Sequence, residues 1–407
     1  MRSEADTRSG ASAGLAIPLA RWADRQLKAM ATDHACPALA ALEGATLLGE
    51  RGSNNGYAIG GCVSAGLGGS HLMPSADGGW FALTLIRDVD RELLPALFGD
   101  DTIDVQDWDA IASAVSHSRA SDLVERGRTL GLPVASIDEQ PASPAVEVLV
   151  RGGRRERQTR HRPLVIDLSA IWAGPLAGHL LWQAGMEVVK IESRARPDLI
   201  RRDDSATFDL INQGKANVLV DFGSTTEKAS LIGLIRRADI VIESSRPRAL
   251  LQLGIDAAAL VRDVPGLVWL SITGHGASGE AASWVGIGND CGVAGGLSRA
   301  MAEASGRIGY VGDAIADPLT GITAAREGLA AFRSGSAQRI GLSMSAIAAK
   351  ALEEERAFDA GAIEAELRMW AHSEGQAFPR VRHRRLKAEV RSIGADTERY
   401  LLAPAGC

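Results

Sequence analysis

Aromatic side chains are scarce in this 407-residue chain, 4% of the total, so its interior has to be packed mainly by aliphatic and small side chains. Cysteine is nearly absent. Cys36, Cys62, Cys291 and Cys407 show neither close pairing nor metal-ligand spacing, which argues against a disulfide scaffold and predicts free thiols in a reducing cytoplasm. No apolar run approaches the ~18 residues that a membrane span needs. The polar opening Met1–Gly14 leads into the short stretch Leu15–Ala20, too weak for a secretory signal. An excess of positive charge is missing as well. Lys+Arg 44 against Asp+Glu 50 gives a formal charge of -6, which argues against a nucleic-acid binder acting through whole-chain charge. What remains is ordinary globular composition, 46% hydrophobic and 23% charged, in a length that admits two or three domains. A soluble cytoplasmic enzyme is the expectation.

The chain changes texture along its length. Residues 1–140 open on a helical pattern around Trp22–Met30, pass through a Gly/Ser-rich loop (Gly52–Ser70), and reach a strand at Trp80–Ile86 after the turn Asp77-Gly78-Gly79. Apolar residues at three- and four-residue spacing predict helices over Trp108–His117 and Ser121–Leu130, followed by a short strand at Leu132–Ile137. Residues 141–163, with six arginines between Arg151 and Arg162, read as a solvated, mobile linker. From 164 to 350 short apolar strands alternate with helices of about ten residues, the pattern of βαβ units and a parallel sheet buried on both faces. The predicted strands are Leu164–Ser169, Glu187–Glu192, Val218–Phe222, Asp239–Glu243, Leu267–Thr273 and Arg339–Met344. Helices are expected over Gly174–Ala184, Glu227–Arg237, Ala249–Arg262, Leu319–Phe332 and Ser345–Phe358. Residues 351–407 are the rest of that charged helix and a basic tail. The fold class is α/β, a doubly wound parallel sheet with a second, smaller domain.

Familiar chemistry is hard to place. No G-x-G-x-x-G follows the first strand of the alternating half, where Ala173-Gly174-Pro175-Leu176-Ala177-Gly178 has the wrong spacing, so a conventional nicotinamide site is not expected. No G-x-S-x-G elbow exists, and the eight histidines are scattered, with His275 reading as an incidental loop residue. No metal site is expected. The informative stretch is Gly312–Gly321, in which Asp317 precedes Pro318 at the start of a predicted helix. Asp317 fits a helix N-cap. The same geometry suits a nucleophile, since a helix N-terminus favours the anionic carboxylate needed to attack an acyl carbon, and Ala314, Ala316 and Gly321 leave room beside it.

An ordered series of segments resembles the family III CoA-transferases of the CaiB/BaiF type. It begins with Leu164–Ser169, Ala173-Gly174-Pro175 and Gly185–Glu192. It continues through Asn212, Lys215, Asp221, Ala238–Glu243, Arg246-Pro247, Leu253-Gly254 and Ser271–Gly274, and ends on Asp317-x-x-x-Gly321 and Ala337–Ile340. The resemblance covers about 163–345. It implies a Rossmann-like large domain plus a small α+β domain, two chains interlocked as a homodimer, and Asp317 as the nucleophile that carries CoA between acyl groups. The thioester is then a substrate and no cofactor is permanently bound; acyl-CoA and a carboxylic acid are the implied partners, with neither nucleic acid nor membrane. Arg194, Lys215, Ser244, Arg246 and Arg248 fall where CoA is expected, and Trp172, Gly174, Asp290, Gly295 and Gly296 where active-site loops are expected, with Gly292–Gly296 a flexible cover.

This sequence departs from the family pattern in places. The small-domain-like segment precedes the Rossmann-like one, as if permuted, and Ser244-Ser245 and Arg248 replace an Asn-Phe pair and a glycine. Two alternatives share the fold: an α-methylacyl-CoA racemase, and a catalytically silent CoA-binding paralogue. The racemases place a His-Asp pair in a register that here falls on Ile287 and Gly288, neither of which can move a proton.

Overall fold

The computed structural model describes residues 14–66, 69–155 and 162–402. Two sheets organise it. The smaller is an antiparallel meander of β1 (Ser70–Pro74), β2 (Trp80–Thr84) and β3 (Val134–Ser136) in that spatial order. Helices Trp108–Ser116 and Ala120–Leu130 lay Ile111, Val115, Leu123 and Val124 against Met73, Phe81, Leu83 and Val134, giving this unit a core of its own.

The larger sheet contains β4 (Val146–Arg154), β5 (Leu164–Asp167), β6 (Glu187–Ser193), β7 (Ala216–Val220), β8 (Ile240–Glu243), β9 (Val268–Thr273) and β10 (Ser336–Ser343). Its order is β4-β10-β9-β8-β5-β6-β7, parallel throughout except for β4, which runs antiparallel to β10. The order reverses between β5 and β8. In open α/β sheets such a switch point opens a crevice at the strand carboxyl ends, where ligands bind. β5 and β8 are buried along their whole length, which is why they read as unbroken apolar runs.

Three expectations change. Residues 141–163 are not simply a mobile linker, because Val146, Val148 and Val150 alternate as a strand and pair with Leu342, Ile340 and Arg339 of β10. The segment 1–140 is not one unit either. Ile17, Trp22, Leu27, Met30, Leu47 and Ile59 join the large core with Leu176, Ile322 and Leu367, leaving about 70–137 to form the small unit. The helix expected over Ala249–Arg262 breaks into Pro247–Gln252 and Ala257–Asp263 around Gly254, whose φ of +82° suits glycine.

The long helix Met344–His372 kinks at Asp359. Beyond it the tail covers the exposed edge of β7. Asn217 N–H donates to Asp396 Oδ2 at 2.9 Å and Leu219 N–H to Thr397 Oγ1 at 2.9 Å, which blocks edge-to-edge pairing. Among the described residues no helix is long and apolar enough to cross a membrane. Cys36, Cys62 and Cys291 are free thiols, and Cys407 lies outside the described residues.

Candidate active site

Helix Ala316–Ser334 runs against helix Ala173–Gln183 so closely that a Cβ on Gly321 would lie 2.8 Å from the Ala173 carbonyl and 3.0 Å from Leu176 Cβ. The glycine four residues after Asp317 is therefore a packing requirement. The close approach brings Asp317 to the loop that leaves β5 at the switch point. Asp317 is the second residue of its helix, and Ile315 takes the cap position without a side-chain bond, so Asp317 does not act as the expected N-cap.

Asp317 is 6% exposed. Burial pushes its carboxyl up to about 7, against the pull of Arg51 and of the backbone N–H groups of Ala173 and Gly288, while Asp290 adds to the rise. A helix N-terminus favours the anion, and burial opposes it here, so the carboxyl ionises near neutrality and not in the usual carboxylate range. Gly288 has no substitute at this turn: a Cβ would sit 2.2 Å from Asp317 Oδ2 and 2.4 Å from the Ala314 carbonyl.

The loop after β5 is held from below by buried charges. Lys215 Nζ donates to Asp167 Oδ2 and the Pro175 carbonyl, both at 2.8 Å, and to Asn212 Oδ1 at 3.0 Å. Lys190 Nζ pairs with Asp198 Oδ2 at 2.8 Å and donates to the Ser169 carbonyl at 3.0 Å. Asp198 in turn accepts from the Ile171 N–H at 3.1 Å. These bonds hold Ile171 at a φ of +70°, a costly conformation for a β-branched residue. Across the site Ala314 is also left-handed, at φ +44°, and its N–H donates to Asn289 Oδ1 at 3.1 Å. Asn289 Nδ2 reaches Ser70 Oγ at 3.1 Å, tying this turn to the small sheet. Backbone strain on both sides of Asp317 is the kind that clusters at functional sites.

Sequence reasoning misses Arg51, which offers no local signal inside helix Gly44–Asn54. Its guanidinium pairs with Asp313 at 2.9 Å and Asp204 at 3.1 Å, and its Cζ lies 5.4 Å from the centroid of the Trp172 ring. His275, incidental by its sequence context, has Nε2 3.6 Å from Asp290 Oδ2, and both residues are buried.

The other expected site residues fall into groups. Trp172 is buried beside Arg51, and Gly174 packs on Ser169, whose Oγ would be 2.1 Å from a Cβ. Gly295 and Gly296 are not a flexible cover. Helix Gly288–Ala294 is buried, a Cβ on Gly295 would be 2.6 Å from the Ser345 carbonyl, and Gly296 turns the chain at φ +81°. Lys215 lies in the interior with its three donor positions used, which corrects its expected place against CoA. Arg194 is exposed and 4.0 Å from Glu227. Ser244 is exposed just past β8. Arg246 and Arg248 line a cleft of about 1440 Å³ between the two sheets' units, facing Arg119 and Arg128 of the small unit. Arg128 Cζ sits 4.0 Å above the Trp284 ring in the cleft wall, and that ring meets buried His275 edge-on, 6.1 Å between centroids.

The parallel sheet with its switch point places the chain among α/β proteins of the doubly wound class. Residues 163–383 match CoA-transferase family III, more than half of the chain, and the protein belongs to that family. Succinate–glutarate CoA-transferase of Agrobacterium fabrum is 32% identical over 197 residues, 44% of this chain and 49% of that one. Cinnamoyl-CoA:phenyllactate CoA-transferase of Clostridium sporogenes is 33% identical over 125 residues, 28% of this chain and 30% of that one. A CaiB/BaiF family protein from Brucella suis, solved by crystallography, is 26% identical with a TM-score of 0.44, covering 49% of this chain and 57% of that one. The chain thus spans about half the length of the Agrobacterium relative and under a third of the Clostridium one.

Proposed function

We propose that the protein is an acyl-CoA:carboxylate CoA-transferase in which Asp317 is the nucleophile. The observation that carries this reading is a buried carboxylate, met by two backbone N–H groups, at the switch-point end of the sheet inside the family-matching residues. Ionised Asp317 attacks the thioester carbonyl and expels CoA thiolate, leaving a mixed anhydride. The thiolate attacks the aspartyl carbonyl, the first acid leaves as a free carboxylate, and an aspartyl-CoA thioester remains. The acceptor carboxylate reverses the sequence and departs as the new acyl-CoA, regenerating Asp317. The cleft between the small unit and Arg246 and Arg248 suits the CoA phosphates, with Arg119 and Arg128 facing them from the other wall. The acids named for the relatives supply a first panel of donors and acceptors.

The test is capture of the intermediate. Incubation with acyl-CoA donors and free acids, followed by hydroxylamine or borohydride, should modify Asp317 alone in the peptide mass map. Asp317→Asn should abolish turnover; if that variant kept most of its activity the covalent reading would be wrong. The racemase reading gains one observation, the His275–Asp290 pair, which supplies an acid/base group besides Asp317. We expect no deuterium at the α-carbon of a 2-methylacyl-CoA incubated with the protein in deuterated water. Incorporation at catalytic rates would favour the racemase. A silent CoA-binding paralogue would bind acyl-CoA and leave Asp317 unmodified.

A further inference from the structure

Three side chains that sequence spacing does not connect meet behind the Gly288 turn. His275 follows β9, whereas Asp290 and Cys291 lie in the first turn of helix Gly288–Ala294. His275 Nε2 is 3.6 Å from Asp290 Oδ2, Cys291 Sγ is 3.8 Å from the same oxygen, and the three atoms lie within 4.8 Å of one another. All three residues are buried.

The protein serves these atoms poorly. Nε2 has no hydrogen-bond partner among the described residues. The Asp290 carboxylate receives the Ile287 N–H, at 3.1 Å to Oδ1 and 3.3 Å to Oδ2, and among the described residues its ion-pair partner is His275. A buried carboxylate and an orphaned imidazole nitrogen are both costly. Their separation is too long for a good hydrogen bond. It matches the edge of a coordination shell, since ligands at about 2.0–2.3 Å around a tetrahedral ion are roughly 3.3–3.7 Å apart. Gly286 keeps the space between them clear: a Cβ there would lie 2.6 Å from Cys291 Sγ and 3.0 Å from His275 Nε2. One nitrogen, one carboxylate and one thiol are a donor set for zinc-type ions, unlike the all-oxygen shells of magnesium and calcium.

We propose that His275, Asp290 and Cys291 form a binding site for one zinc-type divalent cation, with the fourth position taken by water or by the Gly274 carbonyl that lies 3.4 Å from Cys291 Sγ. Binding replaces the thiol proton by a metal–sulfur bond and releases that proton to solvent. The edge contact with Trp284 orients the imidazole. The site is independent of the transferase reading, and its ion would be held next to the helix turn that carries Gly288 to Asp317.

The test uses the full chain, stripped with chelator and titrated with Co²⁺ alone, then with Zn²⁺ in competition. The expected result is one Co²⁺ per chain with a thiolate-to-cobalt charge-transfer band in the near ultraviolet, displaced by stoichiometric Zn²⁺. Cys291→Ser should remove the band, and His275→Ala should weaken binding by at least roughly 100-fold, beyond the 10–100-fold attached to loss of an outer-shell partner. Cys36→Ser and Cys62→Ser should leave the band intact. Should the site variants misfold, X-ray absorption of the zinc-loaded wild-type chain decides instead, with one sulfur at about 2.3 Å and lighter neighbours at about 2.0–2.1 Å. The proposal is overturned by absence of stoichiometric binding at micromolar metal, by a band that survives Cys291→Ser, or by a sulfur-free shell.

Discussion

In the reaction proposed for this protein, the physical cost of burying Asp317 bears directly on its chemistry. A carboxyl raised to about 7 by burial is half ionised near neutrality, and only the anion can attack. Measured on the metal-free protein, the rate of Asp317 acylation should therefore climb with pH and reach half its maximum near about 7. Arg51 pulls the carboxyl down, so Arg51→Met should move that midpoint to higher pH, read from single-turnover rates across a pH series. The same raised value carries a stability penalty. The unfolded carboxyl ionises near 3.9. Below that pH neither state ionises and the penalty is absent; it grows as pH rises towards about 7, where the folded group ionises too, and is complete above it. Asp317→Asn should thus melt higher than wild type at pH 8, with the gain shrinking towards nothing near pH 4, read from thermal melts at both pH values.

At the scale of elements, the loop after β5 shows how the site is kept in shape. Lys215 spans from β7's entrance to Asp167 at the end of β5 and to the first turn of helix Ala173–Gln183. Burial draws its ammonium down to about 8 while Asp167 opposes, so it stays charged at neutral pH. Removing one partner of such a pair strands the other charge. Lys215→Met should cost about 3–5 kcal/mol in denaturant unfolding, whereas a change at exposed Arg194 should be within about 0.5 kcal/mol. A small loss at Lys215 would mean that Asp167 finds another partner. The Gly288–Ala294 helix shows a second lesson. Its glycines suggest flexibility, but Gly288 and Gly295 are glycines because backbone and side chains of neighbouring segments occupy the space a Cβ needs.

For the whole molecule, the small unit precedes the large sheet in the chain and still joins its unit, through the buried packing of Leu72, Ala82, Ala135 and Ile137 on Val293, Ala294 and Tyr310 and through the Ser70–Asn289 bond, with Arg119 and Arg128 lining the same cleft as Arg246 and Arg248. The family resemblance adds the expectation that two chains thread through each other. A homodimer of that kind should not release folded monomers, so dissociation and unfolding should coincide and depend on protein concentration. Light scattering that found a stable folded monomer at micromolar concentration would contradict it.

Composition and periodicity are enough for the α/β class and for the six strands of the parallel sheet, because these rest on local rules: apolar runs for strands buried on both faces, and helix spacing between them. They misjudged β4, whose Val146, Val148 and Val150 alternate as a strand but lie beside a conspicuous arginine run. Only the tertiary structure brought Arg51 to Asp317, His275 to Asp290 and Cys291, and Lys215 into the interior. Those pairings join residues tens to hundreds of positions apart. Charge and hydrogen-bonding capacity do not show in sequence where a side chain will be desolvated, and desolvation is what sets these groups apart from ordinary surface polar residues.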